Sequence, residues 1–260
     1  MPNKKQMRQR RLLTLLETRP NARVNELADS LSVTSETVRR DLDELSSRGL
    51  VDRTYGGALL KSSQEPVVNI RHSLMIEERQ AIARASVNCF NNAKTLMIGS
   101  GATTTHVARR IAIQMNDITV ITHSFGVATV LSLNPTITVL MAPGTYHATE
   151  GAMHGSQTIR YLDDFRVDWA ITGASGLDCN GASDALIDAS DVYACMGAQA
   201  ARTMIVADHS KFRKVFPARF AKWQDIDTLV TNERPKGELG AVLKQQNTKV
   251  LVCKFEPAAL

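Results

Sequence analysis

The chain of 260 residues is poor in cysteine and in aromatic side chains, with four cysteines and 5% Phe, Trp and Tyr together. Cys89, Cys179, Cys195 and Cys253 are widely scattered, without a Cys-x-x-Cys pair or a histidine at zinc spacing. That pattern argues against a disulfide framework or a metal site and for reduced thiols. No apolar run reaches the roughly 18 residues that span a bilayer, and no apolar segment of a signal peptide follows the charged N-terminus. A cytoplasmic protein without a membrane partner is expected. Repeats of fixed period are absent. Charge of one sign is also in short supply: 31 basic against 26 acidic residues leave +5, most of it before residue 61. The length suits one small domain plus one of ordinary size.

What is present begins with residues 24–59. Val24, Leu27, Ala28 and Leu31 recur at helical spacing, and a second stripe runs through Val38, Leu42 and Leu45. Thr34 is placed to cap the second helix, and only Ser32 and Val33 separate the first stripe from that cap. So short a connection forces the helices to cross, as in a helix-turn-helix. Glu36 and Arg40 project away from the buried stripe, with Ser35, Thr37 and Arg39 on its flanks. These residues can touch a partner: an arginine can contact guanine bidentately, and the hydroxyls can bond phosphates or base edges. Which of Arg39 and Arg40 reads a base stays open. Asp41, Asp43 and Glu44 are expected to repel phosphates, so that only the N-terminal half of this helix lies deep in a groove. Residues 52–57, flanked by Leu50-Val51 and Ala58-Leu59-Leu60, read as a β-hairpin wing from which Arg53 and Tyr55 can touch the DNA backbone. Upstream, Leu12, Leu13, Leu15 and Leu16 predict a covering helix, with Lys4, Lys5, Arg8, Arg10 and Arg11 as a phosphate-attracting cluster.

Composition divides the chain into a DNA-binding domain at 1–60, a polar linker at 61–75 and an α/β domain at 76–260. A helix near Glu77 carries Ala81, Ile82, Ala85 and Cys89 inward. Seven short apolar runs follow, at 95–98, 118–121, 137–141, 169–171, 204–206, 228–230 and 250–252. Consecutive β-branched residues without alternation predict strands buried on both faces, hence an α/β fold with a largely parallel sheet. Ligands in such sheets bind beyond the carboxyl ends of strands. The segments there are small and polar. Gly99 to Thr105 form a candidate phosphate cradle opening a helix, with Ser100, Gly101, Thr103 and Thr104 as its candidate ligands. It lacks the third glycine of a dinucleotide fingerprint and the lysine of a P-loop, so no nucleotide cofactor is expected. His123, Gly144, Gly176 and the counter-charge Lys211 complete the candidate effector site. His147 and His154 are weaker donor candidates, no carboxylate cluster argues for metal, and Trp169 and Trp223 are expected in the core.

Thr34-Ser35-Glu36-Thr37-Val38-Arg39-Arg40-Asp41-Leu42, followed by Tyr55-Gly56-Gly57-Ala58, resembles the recognition helix and wing of the DeoR family of bacterial transcriptional regulators. The stretch from Gly173 to Gly176 and the Asp208-His209-Ser210-Lys211-Phe212 segment resemble its C-terminal sensor. The resemblance implies a winged helix-turn-helix joined to a sensor domain similar to ribose-5-phosphate isomerase. It also implies a homo-oligomer that represses a catabolic operon on double-stranded operator DNA and answers a phosphorylated sugar. Departures lie in the sensor. Gly99-Ser100-Gly101-Ala102-Thr103 stands where the family usually has Asp-x-Gly-Thr-Thr, Pro143-Gly144 replaces a Gly-Gly pair, and His123 stands where Asn is common. Tyr193, Cys195 and Met196 fill a stretch that commonly holds an acid followed by a basic residue. An altered effector or a weakened sensor follows as an expectation. A second reading stays open, a sugar-phosphate isomerase-like enzyme with a DNA-binding extension, for which Asp178, Asp184, Asp188 or Asp191 would supply the general base.

Overall fold

The structure is a computed structural model that describes residues 4–18, 23–47, 51–54, 57–60 and 66–253, and within them all side chains except those of residues 4, 6, 10, 14, 17, 18, 52–54 and 57–60. The chain divides into two compact units, Met1–Pro66 and Val67–Leu260.

The first unit contains α1 (Lys4–Thr18), α2 (Val24–Leu31), α3 (Ser35–Ser47), β1 (Val51–Thr54) and β2 (Gly57–Leu60). Both apolar stripes point inward: Val24, Leu27 and Ala28 on α2 and Val38, Leu42 and Leu45 on α3 are buried, and Leu12, Leu13 and Leu16 of α1 join them. The corner between α2 and α3 is made by Ser32 in the left-handed region (φ 52°), whose N–H closes α2 onto the carbonyls of Ala28 and Asp29. Thr34 then starts α3, its hydroxyl accepting from the Thr37 N–H at 3.2 Å. β1 and β2 pair antiparallel with Thr54 opposite Gly57. Tyr55 and Gly56 of the expected wing tip lie outside the described residues.

The second unit runs α4 (Val68–Arg71), α5 (Ile76–Val87), β3 (Thr95–Ile98), α6 (Ala102–Gln114), β4 (Thr119–Thr122), α7 (Phe125–Leu131), β5 (Thr138–Met141), β6 (Thr145–His147), β7 (Ala152–His154), α8 (Ser156–Asp163), β8 (Val167–Thr172), β9 (Gly176–Asp178), β10 (Gly181–Asp184), α9 (Ile187–Ala198), β11 (Ala200–Val206), β12 (Ala218–Ala221), β13 (Thr228–Thr231), α10 (Gly237–Gln245) and β14 (Lys249–Val252). The seven apolar runs become one parallel sheet in the order β14-β13-β11-β8-β3-β4-β5. Both faces are covered. Leu96 and Ile98 of β3 pack with residues of α5, α6 and α7, whereas Met97 between them packs with α8 and α9. That double burial is why the runs are apolar throughout.

Strand order reverses beside β3: the chain proceeds through β4 and β5 on one side and through β8, β11, β13 and β14 on the other. A crevice beyond the carboxyl ends of β3 and β8 is where such a sheet holds its ligand. Two features go beyond the sequence reading. Residues 68–71, read as linker, form the helical turn α4, with Val68 and Leu74 buried in the second unit. Short antiparallel pieces, β6-β7 and β12-β10-β9, add to the parallel sheet.

Candidate DNA-reading face and effector site

On α3, Glu36, Arg39 and Arg40 are exposed, and Ser35 and Thr37 are half-buried. The structure therefore gathers five of the expected DNA contacts on one helix, with Thr34 at its start. Arg40 Nε donates to Glu36 Oε1 at 3.3 Å across one helical turn, a solvent-exposed pair that DNA can displace. Ser35 Oγ donates to Asn25 Oδ1 of α2 at 2.9 Å, so α2 orients the start of the helix. The side chain of Arg53, like Tyr55, is outside the described residues.

The acids of α3 behave differently from expectation. Asp41 is buried and faces α1, where Arg8 Nε and Nη2 donate to its two oxygens at 2.5 and 3.2 Å and Gln9 adds a bond at 3.3 Å. The Asp41 carboxylate in turn holds the Arg8 guanidinium above its ordinary pKa. Glu44 pairs with Lys5 at 2.5 Å and accepts from Gln9. Two of the three acids thought to repel phosphates are thus neutralised inside the unit, and two of the five basic residues of α1 are held in doing so. Amphipathic spacing cannot reveal this, because an acid on the α1-facing side reads as solvated until the partner helix is placed.

In the second unit Gly101 (φ 135°) starts α6. The first-turn N–H groups of Ala102, Thr103 and Thr104 have no acceptor among the described residues, the condition that makes a helix start an anion site. The hydroxyls of Thr104 and Thr105 instead donate to the Gly101 carbonyl, at 2.9 and 2.8 Å.

Each polar group of Ser100 already has a partner in the protein. Its N–H donates to His123 Nε2 at 3.0 Å and its hydroxyl lies 2.8 Å from the Tyr193 hydroxyl, which donates to the Ser100 carbonyl at 3.1 Å. His123 Nδ1 lies 2.7 Å from the Met153 carbonyl. Since a carbonyl only accepts and an N–H only donates, His123 is the neutral tautomer protonated on Nδ1. Burial pushes its pKa down to about 3, against the pull of the Met153 carbonyl. The His154 ring lies 5.4 Å from that of His123, is 3% exposed, and has neither nitrogen hydrogen-bonded among the described residues. Burial, and next His147, lower its pKa to about 4, while Asp188 opposes.

Of the remaining candidates, Gly144 borders this cluster, whereas Gly176 and Lys211 are placed by other contacts. Gly144 (φ 156°) follows β5, and a Cβ there would stand 2.7 Å from the His154 carbonyl and 2.1 Å from Thr158 Oγ1. Gly176 belongs to β9, where a Cβ would meet the Lys214 carbonyl at 2.3 Å. Lys211 lies beside Asp208, which Arg79 of α5 reaches at 3.3 Å with both side chains buried. Burial alone would raise the Asp208 carboxyl, but Arg79, Lys211 and Ser210 hold it below the ordinary range. The structure thus joins Ser100 and His123 to the start of α6, brings the donor candidate His154 beside His123, and adds Tyr193. Tyr193 escaped sequence reasoning because a tyrosine on a helical stripe reads as core; its only signal was the departure from the acid-basic pattern of that stretch.

Comparison with known proteins agrees over both units. A DeoR-like helix-turn-helix domain matches residues 8–64 and a DeoR C terminal sensor domain matches 74–233. The chain is 31% identical over 246 residues to the HTH-type transcriptional repressor CsqR of Escherichia coli (strain K12), covering 93% of each. It is 28% identical to the glycerol-3-phosphate regulon repressor of the same strain, covering 96% of this chain and all of that one. Among solved structures it is similar to ribose 5 phosphate isomerase A from Neisseria gonorrhoeae, at 14% identity and a TM-score of 0.38 over 52% of each chain. With both domain types matched in order and relatives aligned nearly end to end, the chain belongs to the DeoR family of transcriptional regulators.

Proposed function

We propose that the protein represses a carbohydrate catabolic operon, gripping operator DNA through α3 and the β1-β2 wing and answering a phosphorylated sugar bound beyond the carboxyl ends of β3 and β4. It does so in the cytoplasm as a homo-oligomer, whose symmetry would match a two-fold operator. The observation that carries the DNA half is the exposed set Glu36, Arg39 and Arg40 on a helix whose inner acids are neutralised. Supporting the effector half are the free first-turn N–H groups of α6 and the names of relatives, which include the glycerol-3-phosphate regulon repressors of Haemophilus influenzae and Escherichia coli. A ligand shifts operator affinity only by its preference for one state over another.

The test is a mobility-shift titration on DNA selected by the protein from random sequence, with sugar phosphates added one at a time. A change in operator affinity at saturating ligand supports the sensor; unchanged affinity across the panel, with binding shown independently, overturns it. The isomerase-like reading is weakened at one of its four candidate bases: Asp184 accepts from Ser175 Oγ at 3.0 Å and from the Leu186 N–H at 3.0 Å. Turnover of pentose or hexose phosphates by the purified chain would restore it.

A further inference from the structure

The reversal of strand order beside β3 puts the expected ligand crevice between β3 and β8, and in this chain that crevice is filled. Tyr193 of α9 is 5% exposed. A Cβ on Gly99 would lie 2.8 Å from its Cε1 and 3.4 Å from Thr172 Cγ2 at the end of β8. The phenol can sit there only because residue 99 has no side chain. Its ring meets His123 edge-on at 5.8 Å and Phe220 at 5.2 Å, and its hydroxyl is engaged with Ser100 on both sides. A ligand touching the start of α6 would therefore have to lie on the other side of β3, toward β4 and β5.

On that side the polar groups can be eliminated in turn. Ser100 and His123 are satisfied, and the Tyr193 hydroxyl both donates and accepts. His154 stands apart, 97% buried with two ring nitrogens unpartnered among the described residues. Leaving a buried donor or acceptor unmade is costly, so such a group is explained by a partner that comes and goes. A neutral imidazole offers one donor and one acceptor, the complement of a hydroxyl group. The charged groups whose fields reach His154 and Tyr193 are mainly acids: Asp188 for the first, and Asp184 and Glu150 for the second, with Arg71 paired to Glu150.

We propose that His154 reads a neutral hydroxyl at the far end of a monophosphate held by the start of α6, with Tyr193 walling off the β8 side, so that the site accepts polyol-type monophosphates and rejects ligands carrying a second anion. This rests on the phosphate-binding reading above. His154 is carried by the β6-β7 hairpin itself, opposite Thr145, and Gly144 and Gly155, both at positive φ, flank that hairpin.

Matched ligand pairs test the idea on the full chain by calorimetry: erythritol 4-phosphate against 4-phosphoerythronate, and glucitol 6-phosphate against 6-phosphogluconate, each pair differing only by hydroxymethyl against carboxylate. Inorganic phosphate reports on the α6 end alone. The hydroxyl member of at least one pair should bind at least about ten-fold tighter than its acid. In His154→Leu that preference should vanish while phosphate binding stays. The same variant should raise the melting temperature of the ligand-free protein by about 2–4 °C, because it removes an unsatisfied buried group. Equal or tighter binding of the acids, or a preference that survives in both His154→Leu and His154→Gln, overturns the assignment while leaving the phosphate site standing. Failure of inorganic phosphate and all four ligands to bind at millimolar concentration overturns both.

Discussion

Asp41 of the recognition helix is tied to Arg8 of α1 by two hydrogen bonds, Nε to Oδ2 at 2.5 Å and Nη2 to Oδ1 at 3.2 Å, with the Asp41 side chain 2% exposed. The pair fixes the rotation of α3 about its own axis, because turning the helix would pull the carboxylate off the guanidinium that neutralises it. Arg8→Ala would leave a buried carboxylate with Gln9 as its remaining partner among the described residues. Breaking a fully buried pair costs about 3–5 kcal/mol; with the Arg8 side chain 25% exposed, about 2 kcal/mol is expected. Urea denaturation followed on the first unit should show that loss, whereas Arg11→Ala, at an exposed position of the same helix, should change stability by less than about 0.5 kcal/mol.

Recognition should separate from stability at Arg40. Arg40→Ala is expected to weaken operator binding by about 1–3 kcal/mol and to relax base preference at one position, if the guanidinium leaves Glu36 for a guanine. The comparison of operator with random DNA decides it: equal losses on both would make Arg40 a phosphate contact instead. Thermal stability should barely move, because the Arg40–Glu36 pair is solvent-exposed.

The parallel sheet and the helix-turn-helix were legible in sequence because their burial patterns repeat. Strands covered on both faces show as unbroken apolar runs, and α2 and α3 each bury one stripe. The strands β6, β7, β9, β10 and β12 escaped because each has three or four residues of mixed character, such as Thr145-Tyr146-His147, too short to show a period. The site was half legible. Chain neighbours such as Gly101 and Thr103 could be placed at a helix start, but the contact of Gly99 with Tyr193 joins residues far apart in the chain, and the pairing of Asp41 with Arg8 depends on how α1 lies across α3.

Acid should destabilise the second unit well before its carboxylates titrate. His106, His123 and His154 have folded-state pKa values lowered to about 4, 3 and 4, chiefly by burial. The unfolded chain takes up these protons near pH 6.5, the folded chain only near 3 to 4. Their contribution is therefore complete above about pH 6.5 and is lost as pH falls toward 4, at roughly 1.4 kcal/mol per pH unit for each histidine. Urea midpoints should fall steadily from about pH 7 to about pH 5. His123→Asn, which can still accept from the Ser100 N–H and donate to Met153, should reduce the slope by about one proton. A midpoint independent of pH over that interval would contradict the burial of all three.

Gly99 and Tyr193 should behave as one unit in a double-mutant cycle. The Cβ introduced by Gly99→Ala lies 2.8 Å from Tyr193 Cε1, and the ring is fixed by its bonds to Ser100 and its contact with Phe220, so it cannot step aside without losing them. Overpacking of this kind costs about 1–3 kcal/mol. Tyr193→Leu removes the obstructing ring edge and the hydroxyl, and should itself be destabilising because the Ser100 hydroxyl and carbonyl lose their partner. In the double variant the methyl group added at position 99 has room, so the second loss should be smaller than the first, with a coupling energy of about 1 kcal/mol or more. Additive losses would mean that the ring yields freely, and the crevice between β3 and β8 would then be open to a ligand after all.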